Sequence, residues 1–354
     1  MINLIKKHKI KAFLIGFITL FDALIISLAL IPSNKDITAP GGLTEVVSVI
    51  KADSEIDLKG SFNTIYVYSI ERSSILQSMI AGLANFNEIK DSSKYFHLTP
   101  EENNASRIIY KNQSIEASII YAYKYAASKG YDNIKLNSKL LGLIVCDYQI
   151  NNKLFKMGDI ITAIYDKDKN QKFDIINNPN ELYNILYYQE RYISIGDVIT
   201  YIRNGIEDRI EIRENFSYES AKNRFYVLPK YELDNKSAVP KYELFASKTH
   251  GPSGGFLQTL SIYSQITNKD YTYGKKIVGT GTIDVGGNVG AIGGISQKVV
   301  TAIYNNADVF FCPLANAKDG QETYDNTLGH EKMKFVVVST FKDAIEWLEK
   351  EYEH

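Results

Sequence analysis

Two short motifs carry the residue types that could perform covalent chemistry. The first is HGPSGG, residues 250–255, in which Ser253 precedes the apolar segment FLQTLSIYSQI. A serine in a glycine-rich turn that opens a helix suits a nucleophile, because glycines admit a substrate backbone and free N–H groups stabilise an oxyanion. Gly251, Pro252 and Gly254 would form this turn. The alternative is an ordinary helix cap, since Pro and Ser are both common at helix starts.

The second motif, AIGGISQKVV, residues 291–300, places Lys298 within an otherwise apolar helical stretch. A lysine on an amphipathic helix is usually a solvated side chain. A buried lysine has a lowered pKa, because burial disfavours the charged form. A neutral Lys298 amine could then take the proton of Ser253, as histidine does in a catalytic triad.

The two motifs lie within a longer pattern, GPSGG followed by VGTGTIDVGGNVGAIGGISQKVVTAIYNNADVFFCP. Over roughly residues 220–350 this pattern resembles the proteolytic domain of Lon proteases, and most closely the bacterial membrane-anchored PDZ–Lon-like branch. The resemblance implies a Ser–Lys dyad of Ser253 and Lys298. It also implies that Thr280, in a Thr-Gly pair, orients the lysine amine.

Two positions depart from the family pattern. Gly254 stands where a small residue, commonly alanine, follows the serine, and His250 stands where Lon proteases often have an acidic residue. His250 is a possible alternative base, but it shares the turn with Ser253 and has no evident orienting carboxylate. We expect it to line the substrate groove or to be a loop residue.

The middle of the chain resembles the PDZ domain of the same family. Leu141, Gly142 and Leu143 would form the loop whose N–H groups bind a peptide carboxylate, while a peptide strand adds to the sheet edge. The alternative is a glycine within a core strand.

The N-terminal residues predict a membrane anchor. Lys6, Lys7, Lys9 and Lys11 precede an apolar run at residues 12–31, which as a helix would span about 30 Å, the thickness of a bilayer core. The lysines predict a cytoplasmic N-terminus and an extracytoplasmic body. The alternative is a cleaved signal peptide, although the run exceeds the usual ~7–15 apolar residues. Asp22 lies in mid-span, where a carboxylate is unfavourable unless protonated or paired.

Composition excludes several other classes of protein. Forty basic and 41 acidic side chains give a net charge of −1, so no positive field predicts nucleic-acid binding. Cys146 and Cys312 lie in apolar runs without zinc-ligand spacing, which predicts two buried thiols and no metal. The sequence Asp166-x-Asp168-x-Asn170 begins like a calcium loop but lacks the glycine and the glutamate that follow in such loops. No Gly-x4-Gly-Lys-[Ser/Thr] motif occurs, so the ATPase of Lon proteases is not expected here. We also expect no metal or other cofactor.

The predicted fold class is α+β, with five parts along the chain. These are a cytoplasmic N-terminus (1–11), a transmembrane helix (12–31), a mixed α/β lobe (36–134), a PDZ-like domain (135–216) and a Lon-type proteolytic domain (220–354). Predicted elements include a helix at Ser114–Lys129 after a loop at Lys90–Ser106, and a hairpin at Asn204-Gly205. The repeated PKYEL segments at Pro229–Leu233 and Pro240–Leu244 suggest paired strands.

The sequence therefore predicts an ATP-independent, membrane-anchored serine endopeptidase that cleaves extracytoplasmic peptides or exposed protein segments. The alternative is a membrane-tethered PDZ scaffold with a degenerate protease fold. A homo-oligomer is consistent with the family resemblance, but no residue pattern specifies the number of subunits.

Overall fold

A computed structural model describes residues 9–92, 98–148, 154–188, 193–213, 225–247 and 249–353 of the chain. Lys6 and Lys7 of the predicted anchor lie outside these residues. The predicted boundary between the second and third domains, at residues 216–220, also lies outside them.

The helices and strands of the described residues are numbered in chain order. The helices are α1 (Lys9–Leu30), α2 (Ile75–Ala81), α3 (Pro100–Ser128), α4 (Pro179–Tyr183), α5 (Gly255–Ile266), α6 (Ile295–Tyr304), α7 (Ala317–Asp325) and α8 (Phe341–Tyr352). The strands are β1 (Pro32–Glu45), β2 (Ile50–Ala52), β3 (Ser61–Ser74), β4 (Glu88–Asp91), β5 (Lys135–Tyr148), β6 (Ile160–Asp166), β7 (Gln171–Asp174), β8 (Val198–Arg203), β9 (Ile206–Glu211), β10 (Phe225–Val239), β11 (Tyr242–Leu244), β12 (Lys276–Gly279), β13 (Thr282–Ile283), β14 (Val289–Gly290), β15 (Val309–Pro313) and β16 (Lys334–Val338).

A six-stranded sheet in the order β16-β15-β12-β3-β1-β4 forms the centre of the larger body. Strands β16, β15, β12 and β3 are parallel, and β1 and β4 extend the sheet by antiparallel pairing. Strand β15 is buried on both faces, since Val309 and Phe311 pack in one cluster while Phe310 and Cys312 pack in another. Helices α3, α5 and α8 contribute to the first cluster and α6 to the second, which gives three layers.

The central sheet combines two distant segments of the chain. Strands β1, β3 and β4 come from the predicted 36–134 lobe, and β12, β15 and β16 come from the predicted 220–354 domain. One hydrophobic cluster joins side chains of both segments, among them Phe62, Ile119, Phe256 and Phe341. The two predicted parts therefore form one body, and the domain boundaries remain a prediction.

The middle of the chain forms a second sheet in the order β10-β5-β6-β8-β9, with β7 paired to β6. Its core is a separate cluster that includes Leu143, Ile161, Leu182 and Phe225. The long antiparallel pair of β5 and β10 enters and leaves this unit. The middle unit is thus inserted between the two segments that build the larger sheet.

Several predicted elements can be compared directly with the structure. The hairpin at Asn204-Gly205 is confirmed, with β8 and β9 paired around two residues of positive φ. The predicted loop at Lys90–Ser106 is partly wrong, because the capping box of Thr99 starts α3 at Pro100. The pairing of the two PKYEL segments is also wrong, since β10 pairs with β5 and β11 pairs with β2.

Helix α1 is the one described helix that is long and apolar enough to cross a membrane, with a mean hydropathy of 2.4. It starts slightly earlier than the predicted run at 12–31. A signal sequence would meet the same criterion of length and composition. Only Ile31 separates α1 from β1, so the helix leads directly into the central sheet.

Candidate active site

The serine turn lies between β12 and helix α3. Helix α5 begins at Gly255, directly after the turn, and the N–H of Gly255 donates to the Pro252 carbonyl at 3.2 Å. The Ser253 side chain is half-buried. Within the described part of the chain, the N–H groups of Ser253 and Gly254 donate no hydrogen bond. Two adjacent amides are therefore available to an anionic oxygen beside Ser253.

Helix α3, from the N-terminal segment, holds the other side of the turn. Ser114 donates to the Pro252 carbonyl at 2.7 Å, and Ser118 donates to the Gly255 carbonyl at 2.9 Å. These two serines lie one helical turn apart on one face of α3. The start of α5 is thus anchored by residues far from it in sequence.

Close packing explains the glycine at position 255. A Cβ atom there would lie 2.3 Å from Ser114 Oγ and 3.0 Å from the Cγ2 atom of Ile283. The same atom on Gly254 would lie 3.0 Å from the Cγ2 atom of Thr64 and 3.6 Å from the Gln258 side chain. Position 255 therefore leaves less room for a side chain than position 254.

Lys298 lies in the first turns of α6 and is 3% exposed. Burial lowers the pKa of its amine from 10.5 to about 8. Among the described residues, the only hydrogen-bond partner of Nζ is the Thr280 hydroxyl. An ammonium group has three donors to satisfy, so in this site the amine loses its proton at a lower pH than in water.

The hydroxyl of Thr280 connects the lysine to the serine turn. It accepts a hydrogen bond from Lys298 Nζ at 3.0 Å and donates to the Ser253 carbonyl at 3.1 Å. The N–H of Gly281 donates to the same carbonyl at 2.8 Å. The Thr-Gly pair therefore fixes the Ser253 backbone within two hydrogen-bond lengths of the lysine amine.

The structure brings Ser253, Thr280 and Lys298 together at the end of β12. Over the described residues there is no direct hydrogen bond between Ser253 Oγ and Lys298 Nζ. Such bonds are often long in enzymes without substrate and shorten when substrate binds. The catalytic roles of the three residues remain a prediction.

A cavity of about 340 Å³ adjoins the turn, with His250 and Arg72 among its lining residues. The two carboxylates that line the cavity already accept hydrogen bonds from other residues. Glu71 accepts from Arg107 and Asn103, and Asp36 accepts from the backbone N–H of Arg72 and from Ser92. Within the part of the chain that is described, the Arg72 guanidinium has no carboxylate partner. The cavity thus has, in Arg72, a cation without a carboxylate partner among the described residues, and His250 of the serine turn lines the same cavity.

Two other sequence hypotheses concern loops. Leu141, Gly142 and Leu143 do not form a loop and instead lie inside β5, which corrects that prediction. At Leu143 and Ile144, strand β5 is paired with β10 on one side and with β6 on the other, so it does not offer an open edge there. The calcium-like sequence at Asp166–Asn170 forms the turn between β6 and β7, and no metal-binding cluster of three ligands occurs among the described residues.

Sequence reasoning did not identify the part that α3 plays at the site. The apolar spacing of the sequence predicts this helix but gives no reason to place it beside the serine turn. Ser114 and Ser118, at helical spacing on a mostly apolar face, were the available signal. Their buried hydroxyls needed partners, and those partners are backbone carbonyls of the serine turn.

Comparison with known proteins identifies the C-terminal part of the chain. Residues 229–349 match the profile of the Lon protease (S16) C-terminal proteolytic domain. A curated relative is the Lon protease of Aster yellows witches'-broom phytoplasma (strain AYWB), which is 34% identical over 126 residues. That alignment covers 35% of this chain and 14% of the relative. Residues 229–349 are therefore a Lon-type proteolytic domain.

Proposed function

We propose that this chain is a membrane-anchored serine endopeptidase that works without ATP, with Ser253 as nucleophile and Lys298 as its base. The Lon-type domain supports peptidase activity. The observation that carries the more specific proposal is the buried Lys298 amine, which the Thr280 hydroxyl links to the Ser253 backbone. A buried neutral amine beside a serine turn is suited to general-base chemistry.

In the first half of the reaction, Ser253 Oγ attacks the scissile carbonyl carbon and its proton passes to Lys298 Nζ. The carbonyl oxygen becomes an oxyanion that accepts hydrogen bonds from the amides of Ser253 and Gly254. When the C–N bond breaks, the lysine ammonium returns the proton to the leaving amine. An ester between Ser253 and the substrate remains.

In the second half, water attacks this ester and gives a proton to Lys298. Collapse of the second tetrahedral intermediate releases the carboxylic acid, and Ser253 Oγ regains its proton from the lysine. Thr280 keeps its hydrogen bonds to the lysine and the turn throughout, so its role is to hold Lys298 and the serine turn in fixed positions relative to each other.

The proposed substrates are unstructured peptides and exposed protein segments. The chain contains no P-loop motif, so in this proposal no ATP-driven unfolding precedes cleavage. The cavity beside His250 is a proposed side-chain subsite. Its available cation, Arg72, favours an acidic substrate residue near the scissile bond.

Localisation follows from α1 in this proposal. The helix would anchor the chain in the cell membrane, with the lysine-rich N-terminus in the cytoplasm and the body outside it. The direct continuation of α1 into β1 supports an uncleaved anchor over a signal sequence. Cell fractionation with an antibody against the body would separate the two, because cleavage would release the body and shorten it.

The middle unit is proposed to be PDZ-like and to bind peptides. Its separate core and its five-membered strand path with the short helix α4 support this assignment. Since Leu143 lies in a strand with paired neighbours on both sides, a bound peptide would add to an outer strand, β9 or β10. A homo-oligomer remains part of the proposal without a specified number of subunits.

The test uses the full chain in detergent micelles with a library of unstructured peptides, without ATP, and identifies products by mass spectrometry. We expect cleavage by the wild type and none by Ser253→Ala or Lys298→Met. Lys318→Met, an exposed lysine on α7, is the matched control and should cleave normally.

Undiminished cleavage by Ser253→Ala would refute the mechanism. A wild type that binds peptides through the middle unit but cleaves none would instead favour the tethered scaffold.

A further inference from the structure

Helix α2, which directly follows β3, and the turn after it carry an exposed apolar surface next to the end of helix α1. Met79, Ile80 and Leu83 are 58%, 59% and 85% exposed. They lie on α2 and the turn that follows it, and residues 73–87 contain no charged side chain. We call the segment from Ile75 to Phe86 the α2 patch.

The α2 patch is fixed directly to the end of α1. The N–H of Ile75 donates to the Ile31 carbonyl at 3.0 Å. Ser33 Oγ bonds to the Ser73 carbonyl and to Ser78 Oγ, each at 2.8 Å. Because only Ile31 lies between α1 and β1, the patch cannot move far from the point where α1 ends.

If α1 spans a bilayer, as the proposed function requires, the short distance from the end of α1 to the α2 patch places the patch near the membrane surface. A seven-residue helix is about 10 Å long, and the headgroup layer on each side of a bilayer is roughly 5–8 Å thick. All of α2 would therefore lie in or beside that layer. Apolar side chains on an uncharged segment partition into this layer, as in interfacial helices.

From these contacts we infer that the α2 patch inserts into the lipid headgroup region and gives the protein a second attachment to the bilayer. This inference rests on the membrane anchor of the proposed function. The occupant of the exposed apolar face is the lipid surface itself, since α1 would carry the patch there.

The patch also contacts the helix that carries Lys298. The side chain of Gln297 donates to the Phe86 carbonyl at 3.0 Å, and the rings of Phe86 and Tyr304 meet edge to face at 6.0 Å. Glu71 and Arg72, which line the cavity beside the serine turn, directly precede Ser73 on β3. Bilayer contact would therefore hold the substrate cavity close to the membrane surface, and favour substrate segments that emerge from the bilayer.

The test labels the full chain at single cysteines with nitrobenzoxadiazole. The protein is reconstituted in vesicles of phosphatidylcholine and phosphatidylglycerol. The natural thiols Cys146 and Cys312 are buried, so added surface cysteines react selectively. Leu83→Cys reports on the patch, and Met79→Cys repeats the measurement in case the first variant misfolds.

Lys59→Cys is the matched control. Lys59 is exposed and lies just before β3, at the other end of a 14-residue strand and about 40 Å along it from the patch. We expect a blue-shifted emission and loss of quenching by aqueous iodide for the labels at 83 and 79, with no change for the label at 59.

Three results are possible once flotation of the vesicles is measured alongside. Flotation with protected patch labels supports the inference. Flotation with patch labels as accessible to iodide as the label at 59 overturns the inference and leaves the anchor intact. A chain that does not float overturns the proposed anchor, and the inference falls with it.

Discussion

Lys298 Nζ lies 3.0 Å from the Thr280 hydroxyl in a buried site, and that hydroxyl also donates to the Ser253 carbonyl. A hydroxyl has one proton to donate. Since Thr280 gives this proton to the Ser253 carbonyl, it must accept from the lysine. The lysine then uses one N–H for Thr280, and its lone pair, when the amine is neutral, remains available to Ser253.

The proposed base predicts a rising pH profile. The pKa of Lys298 is lowered to about 8 by burial, and only the neutral amine can accept the proton of Ser253. We expect kcat/KM to increase with pH and to level off above about 8. Initial rates on one peptide across pH would check this, and a rate that falls as pH rises through 8 would contradict the role of Lys298.

Burial of the same amine predicts that Lys298→Met stabilises the body at neutral pH. Folding moves the pKa from 10.5 to about 8, which costs about 3 kcal/mol below pH 8 at about 1.36 kcal/mol per unit. Between these pKa values the unfolded chain holds a proton that the folded chain has lost, so wild-type stability rises with pH there. Methionine removes this dependence.

Thermal unfolding of both chains at several pH values would test this prediction. The Tm advantage of Lys298→Met should be largest below pH 8 and should shrink as pH rises toward 10.5. An equal Tm difference at every pH would show that the substitution acts through packing alone. Lys318→Met, on the exposed surface of α7, controls for loss of a lysine elsewhere.

Thr280→Val should lower kcat while the chain remains folded. Valine keeps the shape of threonine and removes both hydrogen bonds of the hydroxyl. Losing a partner of a buried polar group costs about 1–3 kcal/mol, which corresponds to roughly 10- to 100-fold in rate. Thr280→Ser keeps the hydroxyl and should retain most of the activity. Equal rates for the two variants would remove Thr280 from the mechanism.

The two glycines after Ser253 should respond differently to alanine. At Gly255 the new methyl group would lie 2.3 Å from Ser114 Oγ and would displace the start of α5. At Gly254 the nearest atom is a Thr64 methyl carbon at 3.0 Å, and a shift of a few tenths of an ångström relieves the contact. We expect Gly255→Ala to lose activity and Tm, and Gly254→Ala to keep both, as measured by peptide cleavage and thermal unfolding.

Arg72→Gln should change specificity more than overall activity. Arg72 lines the cavity beside His250 and has no carboxylate partner in the described chain. The Cα atoms of His250 and Ser253 are at most about 11 Å apart, and in the proposed function the cavity would therefore bind substrate residues near the scissile bond. Cleavage of peptides with Asp or Glu there should fall, and cleavage of matched Asn or Gln peptides should not. An equal fall for both peptide sets would contradict a role in selecting charge.

The local elements of the protein were largely predictable from the sequence. The hairpin at Asn204-Gly205 followed from two residues that tolerate positive φ, and most of the helix predicted at Ser114–Lys129 lies within α3. The resemblance to Lon proteases depended on two ordered motifs, and residues 229–349 bear it out. Each of these signals spans a short stretch of chain.

The pairing of strands that lie far apart in the sequence could not be predicted in the same way. Nothing in the residues of β3 specifies β12 as its parallel neighbour, because any buried strand of similar length would satisfy the same pattern. The PKYEL repeat shows the converse, since two similar strands found different partners, β5 and β2. Gly142 was open to two interpretations, and its position between β10 and β6 decided for the strand.

The insertion of the middle unit also determines how late in the synthesis of the chain the site can assemble. Strand β3 is synthesised long before β12, its parallel neighbour. At about 5–20 residues per second, the ribosome takes roughly 10–40 s to make the chain between them. Until then, Ser114 and Ser118 have no serine turn to support, and the nascent chain has no assembled site. In the proposed function, cleavage could begin only after the C-terminal segment has joined the sheet.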